Sequence, residues 1–276
     1  MIGYLGPEGT FTQAALRTHL SKNKLEMDIV PYESIKSLFD ALLHNDINEI
    51  FIPIENSRGG EVFSAYEGLS QLNQDYQISY EVVLDIHQSL MAKSKLDLQD
   101  INCLYAHEQS IRQCDAFIQE YLTDVEVIYC SSNAHAAELV SKDKKNAACL
   151  GHVAAMGYFD LVLLKENIQD NVNVTRFIGI SLEKPNMTHD DKTSIVFSTQ
   201  KDVPGSLCNV LSVLSKNSIN LTRISSKPQK KLLGEYLFFL DFEGHQMDKY
   251  VSDCLDFIEK ESSYFRLLGS YPKAGI

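Results

Sequence analysis

No apolar run in the chain approaches the ~18 residues that a membrane-crossing helix requires, and the expectation is a protein without a transmembrane segment. The first residues, Met1 to Glu8, carry neither a basic stretch nor a long apolar core, so a secretory signal is not expected. Basic residues are in short supply: 25 Lys and Arg stand against 37 Asp and Glu, a formal charge of −12. Nucleic-acid binding needs a basic face for phosphate contacts, and that class is set aside. A small anion is not excluded, because one local cation outweighs a distant acidic surface. The six cysteines, at 103, 114, 130, 149, 208 and 254, form no C-x-x-C pair. The histidines at 87, 107, 135 and 152 fit no H-E-x-x-H or other ligand spacing. Reduced thiols of a cytoplasmic protein, structural histidines and no metal are therefore expected.

What is present is a repeated rhythm of short apolar strand, polar or glycine turn, and helix, the signature of an α/β protein. Ile2–Leu5 reads as a first buried strand, and the segment from Gly6 to Ala15 as a tight loop feeding a helix capped by Thr10 or Thr12. Further strands are expected at 28–31 and 49–54, with helices at 34–43 and 62–72. Residues 78–90 form one long strand that leaves a first lobe for a second. Strands at 101–106, 125–130 and 147–150 alternate with helices to about residue 158. An apolar run at 161–164 precedes Asn171-Val172-Asn173-Val174-Thr175-Arg176-Phe177. Residues 183–192 are polar and aperiodic and read as a linker. The tail then reads strand (193–198), helix, strand (219–225), a Lys-rich turn, strand (235–242), helix (248–259) and strand (264–268), the βαββαβ order of ferredoxin-like domains.

Three turns at strand ends carry the candidate chemistry, since ligands of doubly wound sheets gather there. The Gly6–Ala15 loop exposes backbone N–H groups at a helix start, which suits an anion, although a plain capped turn explains it equally well. The Pro53–Val62 segment runs a strand into Glu55, Asn56, Ser57 and a double glycine ending at Gly60; a polar turn is the even alternative. The Asn173–Phe177 stretch sets a hydroxyl beside an arginine, whose planar fork matches carboxylates.

Together these stretches resemble the signatures of prephenate dehydratases: the Gly-Pro-x-Gly-Thr-Phe loop, the Pro-Ile-Glu-Asn-Ser segment and the Asn-x-Thr-Arg-Phe motif. The segments from His107 to Cys114 and from Ser132 to Ala134 resemble two further family segments. The tail resembles the amino-acid-binding ACT domain joined to this enzyme in many bacteria. The resemblance implies a two-lobed catalytic domain, like a periplasmic binding protein, over residues 1–182. Lobe one would be about 1–79 with 159–182, and lobe two about 80–158, followed by a linker (183–192) and the ACT domain (193–276). It implies conversion of prephenate to phenylpyruvate without a cofactor. Thr175 and Arg176 are then the expected catalytic residues. Thr10, Phe11, Glu55, Asn56, Ser57, Gly60, Gln109, Ser132, Asn133, Asn173 and Phe177 are the expected substrate contacts. Backbone N–H groups of Gly9–Phe11 and Asn56–Ser57 would help hold the dianion. In a regular strand Thr175 and Arg176 would face opposite sides, so one ligand could hold both only through irregular backbone.

The implied effector is phenylalanine, with Gly205, Ser206, Leu207, Asn220, Leu221, Ser225 and Ser226 as the expected allosteric residues. The tail departs from the family pattern there. Gly205-Ser206-Leu207 stands for Gly-Ala-Leu, and Ile224-Ser225-Ser226-Lys227-Pro228 for Ile-Glu-Ser-Arg-Pro. Pairing of ACT domains implies a homodimer or homotetramer. Arogenate dehydratase and a non-catalytic amino-acid or keto-acid sensor remain the alternatives at this stage.

Overall fold

The computed structural model describes residues 1–143, 145–200, 203–228 and 236–275. Its contacts divide the chain into two compact units. The first is Met1–Ala65 with Val82–Phe177, and the second is Tyr66–Glu81 with the chain from Ile178 onward.

In chain order the first elements are β1 (Ile2–Leu5), α1 (Phe11–Lys22), β2 (Ile29–Tyr32), α2 (Ile35–Leu43), β3 (Glu49–Asn56), β4 (Gly60–Glu61), α3 (Phe63–Gln71), β5 (Gln77–Asp85) and β6 (Ser89–Ala92). Then come β7 (Cys103–Ala106), α4 (Glu108–Gln113), α5 (Asp115–Tyr121), β8 (Glu126–Tyr129), α6 (Asn133–Lys142), β9 (Ala147–Gly151), α7 (Ala155–Phe159), β10 (Val162–Lys165) and β11 (Val174–Ser181). One sheet runs β2-β1-β3-β11-β5, with β4 paired to β3; another runs β10-β6-β9-β7-β8. This is the two-lobed plan of periplasmic binding proteins. In the second sheet successive residues face two separate cores: Leu90, Leu104 and Leu150 point one way, Met91, Cys103 and Cys149 the other. Burial on both faces is why these strands read as unbroken apolar runs.

Two expectations are corrected here. Residues 78–90 are not one strand: β5 ends at Asp85 and β6 begins at Ser89 in the other sheet. In the connection Ile86 and Gln88 are buried, at 6% and 2% exposed, while His87 between them faces solvent, so the inside-outside alternation of a strand runs on through the crossing. The return falls after β10, which pairs with β6, and therefore later than residue 159. Outgoing and returning segments are clasped: Ile86 N–H donates to Asn173 O at 2.7 Å and Ile168 N–H to Gln88 O at 3.0 Å.

The second unit contains β12 (Asp191–Thr199), α8 (Ser206–Lys216), β13 (Leu221–Pro228), β14 (Tyr236–Glu243), α9 (Lys249–Lys260) and β15 (Ser262–Pro272). Its sheet is antiparallel in the order β13-β14-β12-β15, the ferredoxin-like arrangement expected from the βαββαβ reading. Val251, Cys254, Leu255 and Ile258 give α9 an i, i+3, i+4, i+7 stripe into a core with Val210 and Leu214 of α8. The expected Lys-rich turn and Glu235 lie outside the described residues. Asp191 and Lys192 belong to β12 rather than to a linker, and the Asp191 carboxylate accepts from Thr188 N and Oγ1 and from His189 N at 2.7–2.9 Å.

Residues 66–81 join this unit through charged anchors. Lys192 Nζ contacts both carboxylate oxygens of Glu81 at 2.8 Å. Arg223 lies over the Tyr66 ring at 4.5 Å, and Tyr66 packs edge-on against Phe239. Arg266, 4% exposed, donates to the carbonyls of Leu69 (3.0 Å), Leu72, Asn73 (2.7 Å) and Tyr76 (3.0 Å) at and after the end of α3. A cation there also meets the negative end of the helix.

Candidate active site

The first unit carries a cleft of about 880 Å³. One wall is the turn from Leu5 to Thr12 with Tyr32 and Glu33; the other includes His107, Ser131–Asn133, His135, Glu138 and His152. Thr10 caps α1: its hydroxyl donates to Pro7 O at 3.0 Å and accepts from Gln13 N at 3.4 Å. Gly9, at φ +78°, adopts the left-handed backbone that glycine tolerates. A Cβ there would stand 3.2 Å from Ala155 Cα, so the glycine also permits a close approach of the two walls. Its N–H donates to Gln13 Oε1 at 2.7 Å, which removes one of the expected anion donors. Phe11 meets the ring of His152 edge-on at 5.1 Å. On the opposite wall Ser132 caps α6 by accepting from His135 N at 3.0 Å. Asn133 is held at both ends, Oδ1 by His107 N (3.1 Å) and Nδ2 by Ser110 Oγ (2.7 Å).

A second cluster gathers Glu55, Asn56, Ser57, Asn173, Thr175 and Arg176, none of which lines that cleft. The Asn56 amide organises it. Its Oδ1 accepts from Arg58 N at 3.0 Å and Gly59 N at 2.6 Å, which fixes the amide orientation, since a flipped NH₂ would face two N–H groups. Its Nδ2 therefore donates to Thr175 Oγ1 and to Asn173 Oδ1, both at 2.7 Å. With one lone pair of Thr175 filled by Asn56, its own proton is directed to another acceptor. Thr175 is 7% exposed. Asn173, 3% exposed, keeps a buried Nδ2 with no partner among the described residues. Ser57 ties the start of β11 by both main chain and side chain: its N donates to Val174 O at 2.8 Å and its Oγ accepts from Val174 N at 2.9 Å. Ser57 N–H is thus also lost as an anion donor.

Arg176 is not an open carboxylate receptor. It is 8% exposed, and its Nε donates to Glu55 Oε1 at 2.6 Å. The expected conflict between Thr175 and Arg176 is resolved by giving each a different neighbour in the hairpin, Asn56 and Glu55. Phe177 is corrected to a core residue, 1% exposed and stacked on Phe51 at 5.5 Å. Gly60, at φ +75°, serves the β3–β4 turn, with open space where its Cβ would be. Gln109 lies between the clusters. Its N donates to cleft-lining His107 Nδ1 at 3.2 Å, and its Nε2 would stand 2.5 Å from a Cβ placed on Gly59.

Sequence reasoning missed Gln13, Ser110 and the cleft histidines. The His107 and His152 rings each accept a backbone N–H at Nδ1, from Gln109 and Ala154 (3.1 Å). Burial first, and then the neighbouring His87, lower the His152 pKa. No lysine or arginine is among the cleft-lining residues, while Glu33 and Glu138 are. Burial pushes the Cys114 thiol up to about 12. Among the described residues no group of three or more His, Cys, Asp or Glu could hold a metal ion, and no helix is long and apolar enough to cross a membrane.

The expected allosteric residues are dispersed. Asn220 and Leu221 line a hollow of about 440 Å³ with Leu211, Leu214, Ser215, Ser218 and Ile219. Gly205, at φ +92°, precedes α8; Ser206 donates to Val203 O at 2.9 Å; Leu207 packs on the α8–α9 core. Ser225 and Ser226 lie on the edge strand β13. None of these last five lines the hollow.

The family model described as prephenate dehydratase matches residues 2–185. The bifunctional chorismate mutase/prephenate dehydratase of Pseudomonas aeruginosa is 38% identical over 274 residues, covering 99% of this chain and 73% of that protein. The prephenate dehydratase of Methanocaldococcus jannaschii is 33% identical, with 98% and 97% covered. A crystal structure of prephenate dehydratase from Arthrobacter aurescens in complex with L-Phe superimposes with a TM-score of 0.90 at 30% identity, covering 99% of this chain and 90% of that one.

Proposed function

The chain belongs to the prephenate dehydratase family, and from that premise we propose that it converts prephenate to phenylpyruvate with Thr175 as the group that protonates the departing hydroxide. The observation that carries this reading is the 2.7 Å bond from Asn56 Nδ2 to Thr175 Oγ1. The C–C bond to the ring carboxylate breaks and carbon dioxide leaves. Its electron pair enters the ring as the C–O bond to the hydroxyl breaks. Hydroxide takes one proton and departs as water, so the dianion and a proton give phenylpyruvate, carbon dioxide and water. Gain of aromaticity drives both cleavages. A threonine is a poor acid by pKa, so it serves as an oriented donor that relays a proton. Asn56 sets that orientation. The buried Asn173 amide is the nearby donor left for substrate. Arg176 and Glu55 act as a paired brace beside the hydroxyl.

Residues 1–182 are proposed as the catalytic domain, 183–190 as a connection and 191–276, from the start of β12, as an ACT domain that binds phenylalanine. Its sheet ends in the edge strand β13, the kind of strand that two copies can join along, and a cytoplasmic homodimer or tetramer is proposed. The test is phenylpyruvate formation from prephenate, followed by ultraviolet absorbance, with and without phenylalanine. Turnover that falls with phenylalanine supports both parts. Turnover on arogenate and none on prephenate would replace the substrate, and turnover on neither would remove the enzyme reading. Light scattering that gives a monomer would remove the assembly.

A further inference from the structure

A dicarboxylate substrate needs positive potential at two places, and the candidate cleft supplies little of it. Lysine and arginine are missing from its lining, Glu33 and Glu138 stand on its walls, and the charge of Arg176 is matched by Glu55. What remains is one corner. There His152, between β9 and α7 on one wall, meets Phe11, the first residue of α1 on the other. His152 Nδ1 accepts from Ala154 N–H at 3.1 Å, so in the neutral ring the proton sits on Nε2. That N–H has no acceptor among the described residues. Beside it the Phe11 and Thr12 N–H groups open a twelve-residue helix, while Gln13 N is taken by the Thr10 cap. The corner thus combines a side-chain donor fixed in direction, two backbone donors and the positive end of a helix.

We propose that His152 is a substrate-binding residue, donating its neutral Nε2–H to one carboxylate of the substrate at the Phe11 corner. The proposal rests on the dehydratase reading. It assigns a role to a histidine that lies outside every motif on which the resemblance was built. Neutral donation fits the surroundings. A second proton on the ring would have to displace the Ala154 N–H from Nδ1, next to His87 and on the same wall as His107 and His135. Glu33 and Glu138 favour the cation, but the Ala154 bond and burial oppose it. The donor also ties the two walls of the cleft to the ligand, because the carboxylate that takes it is shared with the α1 end.

Two substitutions separate donation from packing. His152→Phe keeps an aromatic ring against Phe11 and removes the N–H. His152→Gln loses the ring and retains an amide N–H at a similar reach. Loss of a hydrogen bond to a charged group should raise KM for prephenate about tenfold or more in His152→Phe, with kcat within about threefold, and His152→Gln should stay within about threefold of the parent in KM. KM within twofold of the parent for His152→Phe, in a parent that turns over prephenate, overturns the His152 assignment and leaves the dehydratase reading standing. An equal rise in both variants overturns donation. A parent that does not turn over prephenate overturns both readings. If His152→Phe does not fold, NMR of the histidine-labelled parent titrated with phenylpyruvate decides: His152 ring signals that move on saturation support the contact, and unmoved signals refute it.

Discussion

Arg266 offers the sharpest perturbation of the second unit. It is a guanidinium, 4% exposed, with no carboxylate partner among the described residues; four main-chain carbonyls of residues 69–76 hold it instead. Burial lowers its pKa, yet a guanidinium starts so high that it stays charged. Four bonds from a charged donor at ~1.5 kcal/mol each come to about 6 kcal/mol. Burying the cation offsets about half of this, because desolvating an ion costs several kcal/mol. Its Nε has no acceptor among the described residues, so the cost is not fully recovered. Arg266→Met keeps the apolar stem and removes the charge, and the expected loss is about 3 kcal/mol. For a chain of this size that lowers the thermal midpoint by ~6–12 °C. Arg266→Lys restores a charge and three donors but not the planar fork, and should recover less than half of the loss. Calorimetry on the three proteins measures both. A midpoint for Arg266→Met within 1–2 °C of the parent, a shift worth less than about 1 kcal/mol, would refute the reasoning.

Gly179 is fixed by space rather than by backbone: a Cβ would lie 2.2 Å from the Tyr80 ring. Gly179→Ala should cost about 2–3 kcal/mol, read as a lower urea midpoint; a variant as stable as the parent would mean that Tyr80 yields freely. His19 and His152 both have pKa values lowered by burial. A depressed folded pKa means that the unfolded chain binds more protons, so this stability is full above ~pH 6.5 and is lost as pH falls below it. The urea midpoint should therefore fall from about pH 7.5 to about pH 5.5, and fall less when both histidines are replaced by glutamine. A midpoint that rises on acidification would contradict the sign.

Much of this architecture is legible in sequence because long helices such as α2 and α9 each bury one face. The 3.6-residue spacing of Val251, Leu255 and Ile258 places α9, and Ser34 marks the start of α2 by its capping box. The crossing at Ile86–Gln88 is not legible, because Ile86 and Gln88 are buried around an exposed His87 as they would be in a strand, and no glycine or proline marks the change of sheet. At the candidate site, residue types point to the turns at strand ends but not to what each side chain holds. Thr10, Ser132 and Asn133 are the small polar residues that a ligand would need, and the same chemistry makes them caps and braces. Asn56 and Thr175 are 119 residues apart, and the bond between them follows only from the β3–β11 pairing in the sheet. The Glu55–Arg176 pair hides in the same way: an arginine beside the Thr175 hydroxyl reads as a ligand clamp until its carboxylate is found across the strand.

The central claim is that Asn56 aims the Thr175 hydroxyl at the leaving group. The most direct measurement is steady-state turnover of prephenate by the parent, Thr175→Ala and Asn56→Ala. Removal of an oriented donor to a developing anion should lower kcat by about 10²–10³-fold in Thr175→Ala, and by at least about tenfold in Asn56→Ala, with KM changed far less in both. If Thr175→Ala keeps the parent kcat, the proton comes from elsewhere and the account of the site is wrong.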